Sequence, residues 1–471
     1  MDSNKIIPIL GLLIILILAI GSISASDIDS ESIGESADID LTIEEPAIDA
    51  IDDSNILEEE NTGDVIANVG DDEEIISDNV NGIEDVKKET GVRDSLGASS
   101  DANVLASTVK FDERKYSTYF NGSGNIISGK LKAGDTLDFS GTFTNKMFII
   151  NIPLTITCTD GTVMLKDCGV RFINGSSGSN ISNIKARQIS VIKRSIIEVT
   201  GVSDLNIFNN DLFSNQTGSH PMNLENVLRL NVFNNKLQVN AYTNNSGWGQ
   251  PSAMVLRNSG NSNITGNTII TNDSNGIYFS GYGGSSSMGT TPEDGSYGNY
   301  IFNNTIYSVR EIPSSFCYGI QLMCKDNLVL NNTVYNTYRG ISTMSSGNQI
   351  IGNIIHNIHG AYYSQATSEQ GADFAIYAVS NSVVKDNLIY DCNFKVGSDD
   401  SIYGAISAGK NSIVSNNTIK NCVGVGVKVD GNNVTITNNI LNISGYGIHI
   451  FGTKADINIE SNVIDSNNLS A

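Results

Sequence analysis

Residues 414–419 read V-S-N-N-T-I, and residues 436–441 read I-T-N-N-I-L. Both stretches follow one pattern: an aliphatic residue, two residues of any kind, an asparagine, one further residue and a second aliphatic residue. The pattern occurs ten times between residues 205 and 464, with its asparagines at Asn210, Asn235, Asn267, Asn304, Asn332, Asn353, Asn387, Asn417, Asn439 and Asn462. Successive asparagines are 21 to 37 residues apart, which is the period of a solenoid with insertions.

The two aliphatic positions fix the register of every copy, because each is Ile, Leu or Val throughout. The residues three positions before the asparagine are Ile207, Val232, Ile264, Ile301, Val329, Ile350, Val384, Val414, Ile436 and Ile459. The residues two positions after it are Leu212, Leu237, Ile269, Ile306, Val334, Ile355, Ile389, Ile419, Leu441 and Ile464. Apolar residues that alternate in this way indicate strands with one buried face. We expect all twenty side chains to point into the core.

A second apolar segment accompanies each copy and often begins with glycine and isoleucine, as in G-I-Y-F at 276–279 and G-I-Q-L at 319–322. A coil of about 22 residues then holds three short strands. Such a coil cannot bury its inner face alone, but stacked coils place equivalent strands side by side at the ~4.8 Å spacing of a sheet. The sequence therefore predicts an all-β fold, a parallel β-helix of roughly a dozen coils. We expect the asparagine to adopt left-handed backbone and its amide to hydrogen-bond along the stack.

Three segments of different composition are predicted. Residues 1–26 combine Lys5, an apolar run over 6–20 and small residues, the pattern of a signal peptide cut after Ala25 or Ser26; an uncut membrane anchor is the alternative. Residues 27–106 form an acidic disordered spacer, since positions 27–101 hold 25 of the 51 acidic residues and a net charge of −22. Residues 107–471 form the β-helix. The signal-peptide pattern predicts an extracellular or cell-surface protein. No nucleic-acid partner is expected, because the sequence has no basic stripe.

The six cysteines are informative by position. Cys392 and Cys422 each lie five residues after a repeat asparagine. Stacking then predicts Cα atoms near 4.8 Å apart, within the range of a disulfide. Buried free thiols are the alternative. No C-x-x-C pair is present, so neither a metal site nor a cofactor is expected.

Aromatic residues cluster near the insertions at 240–252, 280–298, 308–317, 358–373 and 393–402. Fourteen of the 17 tyrosines lie between 242 and 403, as does the only tryptophan. Flat aromatic faces suit sugar rings, although simple loop packing is the alternative. The candidate ligand-binding residues are Trp248, Tyr278, Gln321 and Tyr377. The expected partners are a polysaccharide or cell-surface glycans, and other surface proteins.

Alternation also predicts which residues of the glycine-isoleucine strands face outward. They are Val255, Tyr278, Gln321, Ser342, Tyr377, Ser407, Lys428 and His449, a row without a carboxylate. A polysaccharide hydrolase needs two acids at a defined separation. The candidates for that chemistry are Asp373 and the adjacent pair Asp399 and Asp400.

The repeated N-x-I-x-x-N-x-I followed by G-I-x-L resembles the right-handed pectate-lyase-like β-helix superfamily. Residues 134–139 (G-D-T-L-D-F) and 152–157 (I-P-L-T-I-T) are similar to the opening coil of exported adhesin-like proteins from methanogenic archaea. Polygalacturonase-type members of the superfamily carry N-T-D, D-D, G-H-G and R-I-K motifs. Here Asp399 and Asp400 match the second motif, and the other three are missing.

Two functions follow from these features, and a purely structural spacer without a ligand is a third hypothesis. The first is an exported, adhesin-like β-helix that binds glycans or neighbouring cells without catalysis. The alternative is a carbohydrate-active enzyme, either a polysaccharide lyase or a glycoside hydrolase, that acts on a surface polysaccharide. Convergence of carboxylates on the insertion-bearing edge would favour the enzyme.

Overall fold

The structure is a computed structural model that describes residues 106–190, 194–215, 220–240, 251–280, 296–311, 317–362, 369–370, 373–394 and 403–468. The predicted signal peptide (1–26) and nearly all of the predicted spacer (27–106) lie outside these residues. No helix within the described ranges is long and apolar enough to cross a membrane.

Almost all described secondary structure is parallel β-strand, arranged in three stacks. The first stack holds fourteen strands, each paired with its equivalent in the next coil. They are Thr108–Phe111, Thr136–Phe139, Thr155–Thr157, Asn180–Ser182, Asn206–Phe208, Asn231–Phe233, Asn263–Thr265, Tyr300–Phe302, Leu328–Leu330, Gln349–Ile351, Val383–Lys385, Ile413–Ser415, Val434–Thr437 and Ile457–Glu460.

The second stack follows the repeat asparagine of each coil, and the third stack contains the glycine-isoleucine strands. The second consists of Thr142–Thr144, Met164–Lys166, Lys185–Gln188, Asp211–Ser214, Lys236–Val239, Thr268–Thr271, Thr305–Ser308, Thr333–Tyr335, Ile354–His356, Leu388–Tyr390 and Val463–Asn468. The third consists of Met147–Ile150, Gly169–Phe172, Ile197–Thr200, Met222–Leu228, Ser252–Gly260, Asn275–Ser280, Tyr318–Leu322, Arg339–Thr343, Phe374–Ala378 and Gly404–Ala408. Thr418–Val429 and Ile440–Ile450 run through both stacks. The predicted parallel β-helix is confirmed.

Two short elements lie outside the three stacks. One insertion carries an antiparallel pair, Ala361–Tyr362 with Glu369–Gln370. Near the first coil, a 3-10 turn at Glu113–Lys115 leads into a short α-helix, Tyr116–Tyr119. The aromatic cluster beside them closes the core at this end of the solenoid, with ring centroids 4.9 to 6.2 Å apart; its buried members are Phe111, Phe120, Phe139, Phe143 and Phe148.

The core consists of the inward side chains that the repeat predicts. Eighteen of the twenty aliphatic residues are fully buried. The expectation is wrong for Ile459 and Ile464, which are 41% and 36% exposed. Both lie in the last described coil, where no further coil packs against them.

The repeat asparagines form a continuous hydrogen-bonded ladder inside the turn between the first and second stacks. Each side-chain amide from Asn210 to Asn439 donates to the side-chain oxygen of the next asparagine at 2.9–3.0 Å. The expectation of left-handed backbone at these asparagines is wrong. The residue before each one has the positive φ instead, for example Asn331 at 54° before Asn332. That residue turns the chain, so the ladder asparagine can point inward.

Candidate functional site

The predicted outward row of the third stack is one continuous column. Strand pairing joins its members in the order Val255, Tyr278, Gln321, Ser342, Tyr377, Ser407, Lys428 and His449. The sequence had suggested that this column is an open surface, but the structure shows that it is not. Gln321, Ser342 and Ser407 are buried, because neighbouring side chains lie over them. The Arg339 guanidinium, for example, donates to the Ser342 hydroxyl oxygen at 3.3 Å.

The predicted ligand-binding residues fall in different environments. Trp248 lies outside the described residues. Tyr278 and Tyr377 are half-buried members of the column. Gln321 is buried, and its side-chain amide lies 3.8 Å from the Met323 sulfur. Only Tyr377 belongs to the charged cluster described next, so a ligand-binding role for the other three stays a prediction.

Asp373 lies at the start of a third-stack strand and is held by two consecutive residues of the preceding coil. The Tyr338 hydroxyl donates to Asp373 Oδ1 at 2.7 Å, and the Arg339 guanidinium forms an ion pair with Oδ2. Both oxygens accept hydrogen bonds, as those of an ionised carboxylate do. Asp373 and Arg339 are largely buried, with 16% and 12% of their side chains exposed.

Arg339 is packed between two aromatic rings of its stack. Its guanidinium carbon lies 5.2 Å from the Tyr318 ring centroid and 5.1 Å from that of Tyr377. Such contacts with a desolvated guanidinium are each worth about 1–2 kcal/mol. The buried Nε atom of Arg339 has no hydrogen-bond partner among the described residues.

The tyrosines of this cluster remain protonated. Burial raises the pKa of the Tyr338 phenol, and the nearby Asp373 carboxylate raises it further. Burial also raises the pKa of Tyr318 and of Tyr377, against an opposing effect of the Arg339 charge. These phenols can therefore donate hydrogen bonds at neutral pH, but they are poor general bases.

A second charged pair lies further along the same face. Lys428 Nζ lies 3.4 Å from Asp430 Oδ1, and the Ser407 hydroxyl donates to Asp430 Oδ2 at 2.8 Å. The Phe451 and Tyr403 rings lie 5.0 and 5.8 Å from the same ammonium group. Asp430 was missed in the sequence because it follows its strand and does not belong to the alternating outward row.

The two carboxylates lie too far apart to act on one bond. Phe374 pairs with Gly404 in the next coil, and Gly404 pairs with Val425 in the coil after that. Asp373 therefore aligns with position 424, two coils away. Asp430 lies six residues beyond that position along the strand. At ~3.3 Å per residue and ~4.8 Å per coil, their Cα atoms are roughly 20 Å apart. Hydrolases need roughly 5–9.5 Å between the acting carboxyl groups. Asp399 and Asp400, the other candidates, lie outside the described residues.

Two further points concern the predicted disulfide and possible metal-binding groups. Cys392 and Cys422 are buried thiols in adjacent coils, without a bond between them, so the disulfide stays a prediction. Within the described ranges, no group of three or more His, Cys, Asp or Glu side chains is placed to hold a metal ion.

Comparison with known proteins supports the fold. Residues 364–471 match the family described as "Right handed beta helix region". The chain is a right-handed parallel β-helix. A search of curated protein sequences finds no match.

Several solved structures are similar to this chain. The catalytic domain of a GH87 alpha-1,3-glucanase in complex with nigerose is 14% identical, over 79% of this chain and 70% of that chain, with a TM-score of 0.41. The A-module of a mannuronan C-5 epimerase from Azotobacter vinelandii is 14% identical, over 69% and 91%, with a TM-score of 0.43. An alginate lyase from a Paenibacillus species is 13% identical, over 77% and 99%, with a TM-score of 0.33. At these identities the similarity concerns the fold.

The expectation of an adhesin-like protein without catalysis is wrong. It rested on an outward row without a carboxylate. The row itself holds none, but the structure places the Asp373 and Asp430 carboxylates beside it.

Proposed function

We propose that this protein is a carbohydrate-active enzyme that hydrolyses a polysaccharide at the third-stack face, with Asp373 as an ionised catalytic carboxylate. The observation that carries the proposal is the Tyr338–Asp373–Arg339 cluster. A carboxylate that accepts hydrogen bonds from a phenol and a guanidinium keeps its orientation. It is suited to activate water or to attack the sugar, and unsuited to donate a proton.

Aromatic rings next to this carboxylate supply a platform for sugar rings. Tyr377 and Tyr403 are partly exposed. Their ring centroids lie 5.5 Å and 5.3 Å from that of Phe374, which follows Asp373 directly and is buried beneath them. Rings of this kind bind the apolar faces of sugars while their edges remain polar. Successive coils at ~4.8 Å repeat the face along the solenoid axis, which suits an extended chain of sugars.

Hydrolysis also requires a proton donor for the leaving oxygen. Asp430 is too distant, and therefore Asp399 and Asp400 remain the sequence-based candidates for the acid. Gly404, four residues after Asp400 in the sequence, donates its backbone N–H to the Asp373 carbonyl oxygen at 3.1 Å. Elimination by a lyase would instead need a base to remove a carbon-bound proton. The protonated phenols of this cluster do not supply one.

The proposal is tested on a panel of neutral and uronate-containing polysaccharides. Release of reducing ends reports hydrolysis, and absorbance of unsaturated sugars reports elimination. Asp373→Asn should lower the rate of reducing-end release by ~100-fold or more. Asp204→Asn is the matched control, because Asp204 forms an exposed ion pair with Arg229 at 2.7 Å on another face, and its rate should stay within about twofold.

The outcomes are decisive in either direction. Asp373→Asn leaves Arg339 without its partner, so circular dichroism must show that the variant is folded. A folded variant with wild-type rates on every polymer that the wild type cleaves would exclude Asp373. Loss of the rate in Asp399→Asn or Asp400→Asn would identify the acid, and a product with unsaturated ends would replace hydrolysis by elimination.

We also propose that the chain is exported by residues 1–26, so that it meets polysaccharide outside the cell. The support is the order of a positive residue, an apolar run and small residues in the sequence. N-terminal sequencing of the protein from its natural source should find a first residue at Ser26 or Asp27. An intact Met1 on membrane-bound protein would show that the segment is kept as an anchor.

A further inference from the structure

Cys392 and Cys422 occupy equivalent positions in adjacent coils. The residues that follow them, Asn393 and Val423, form a parallel β-bridge. The Val423 N–H donates to the Cys392 carbonyl oxygen at 2.9 Å. This register places the two cysteine Cα atoms at about the ~4.8 Å spacing of parallel strands, within the ~4.4–6.8 Å range in which disulfides form.

The two sulfur atoms also face each other. Each residue is 2% exposed and belongs to the main core. The neighbouring Cys422 thiol acts directly on the Cys392 thiol. Each thiol also donates to the carbonyl oxygen two residues earlier, Cys392 to Tyr390 at 3.2 Å and Cys422 to Lys420 at 3.3 Å. Both thiols are therefore shielded from solvent.

The other four cysteines have partners other than sulfur. These are Asp160 for Cys158, the carbonyl oxygens of Phe143 and Lys166 for Cys168, Tyr338 for Cys317, and Asn327 for Cys324. The thiol pair is therefore a specific feature of the coils at 392 and 422, and is not a general consequence of cysteine content.

We propose that Cys392 and Cys422 form a disulfide that joins two neighbouring coils, with a low-molecular-weight disulfide as oxidant. One thiolate attacks the oxidant, which releases one small thiol and leaves a mixed disulfide. The second cysteine then displaces the second small thiol. The two protein thiols are oxidised, and one disulfide of the oxidant is reduced to two thiols.

Burial controls the rate of this reaction. Desolvation and the neighbouring Cys422 thiol raise the pKa of Cys392 well above its usual value, so little of the reactive thiolate is present in the folded state. Oxidation of the folded protein therefore requires local opening of the coil and is slow. Refolding in the presence of the oxidant should form the bond readily.

The bridge would restrain part of the proposed catalytic face. It closes a loop of 30 residues between positions 392 and 422, and this loop contains the third-stack strand Gly404–Ala408 and Tyr403. A loop of this length gives a stabilisation that corresponds to a rise in melting temperature of about 5 °C for a domain of this size.

The test compares full-length protein refolded in oxidised glutathione with protein kept reduced. Alkylation after denaturation should modify six cysteines in the reduced protein and four in the oxidised protein. Peptide mapping should join Cys392 to Cys422, and the oxidised form should melt about 5 °C higher. Cys392→Ser or Cys422→Ser should abolish that difference, whereas the matched control Cys317→Ser should keep it.

The proposal is overturned if six thiols remain after refolding in the oxidant, or if mapping finds another pair. The proposal is also overturned if oxidation raises the melting temperature of Cys392→Ser by as much as that of the wild type, because the stabilisation would then have another source. None of these readouts depends on polysaccharide cleavage, so the proposal stands or falls separately from the proposed function.

Discussion

The phenol of Tyr338 donates a hydrogen bond of 2.7 Å to the carboxylate of Asp373, which lies in the next coil of the solenoid. Arg339, the following residue, holds the other carboxylate oxygen. A single dipeptide therefore fixes both oxygens, and with them the plane of the carboxylate. This arrangement depends on the stacking of the coils, because 35 residues separate Tyr338 from Asp373 in the sequence.

Tyr338→Phe should weaken catalysis by loss of orientation. The substitution keeps the ring packed against Cys317 but removes the donor to Asp373. We expect kcat to fall by about tenfold with little change in KM, because a positioning hydrogen bond of this kind contributes about 1–2 kcal/mol. Tyr335→Phe, on the outer face of the second stack, is the control and should leave kcat unchanged. An unaltered kcat in Tyr338→Phe would show that Arg339 alone orients the carboxylate.

Asn332→Ala should destabilise the solenoid strongly. The Asn332 side chain donates to Asn353 at 3.0 Å and to the Ile301 carbonyl oxygen at 2.8 Å, and it accepts from both the backbone and side-chain nitrogens of Asn304. Its removal leaves several buried polar groups unpaired. We expect the free energy of unfolding to fall by about 3–5 kcal/mol, as measured by denaturant titration.

The preceding residue provides a control for that experiment. Asn331 is exposed and has φ of 54°, a conformation that glycine adopts without strain. Asn331→Gly should therefore change the free energy of unfolding by less than about 0.5 kcal/mol. Equal losses in the two variants would mean that the ladder contributes no more than the turn.

Much of the fold could be predicted because the repeat carries its own register. The aliphatic residues on either side of each asparagine alternate with the pleat of a strand, and burial then allows one alignment of the coils. The backbone role of the asparagine was assigned to the wrong residue, because N-N, G-N and D-N dipeptides offer two residues that tolerate positive φ. Hydrogen bonding decides between them: the buried member of the pair forms the ladder.

The candidate site was harder to predict. Alternation identified Tyr377, Ser407 and Lys428 as one column, and strand pairing confirms it. Alternation could not show that Arg339 and Tyr338 turn toward Asp373, since Tyr338 precedes the strand and Arg339 is its first residue. Contacts between insertions and turns depend on side-chain packing, which a sequence period does not encode.

Stability should decrease between neutral pH and pH 4 because of His220. Burial lowers the pKa of His220 to about 4, and the Ser252 N–H donates to its Nδ1 atom at 3.2 Å. The unfolded chain binds a proton below an ordinary histidine pKa of about 6.5, whereas the folded chain does so only near pH 4. The free energy of unfolding should therefore fall by about 3 kcal/mol over this interval.

The His220 contribution is isolated with His220→Asn, which cannot take up a proton. Denaturant titrations at several pH values between 7 and 4 should show a shallower decline than in the wild type. The two proteins should differ in slope by about one bound proton over that range. Parallel curves would assign the acid sensitivity to other groups.

Tyr377→Leu should weaken substrate binding more than it slows the chemical step. The Tyr377 ring packs 5.5 Å from the Phe374 ring and 5.1 Å from the Arg339 guanidinium, and it is half-exposed on the proposed sugar platform. Leucine fills similar volume but lacks a flat face, so KM should rise by about tenfold with kcat nearly unchanged.

Tyr377→Phe keeps the ring and should stay within about twofold of the wild-type KM. Tyr390→Leu, which disrupts a stacked aromatic ladder on the second stack, controls for loss of packing elsewhere. Equal KM values for wild type and Tyr377→Leu would place the sugar chain on another face of the solenoid.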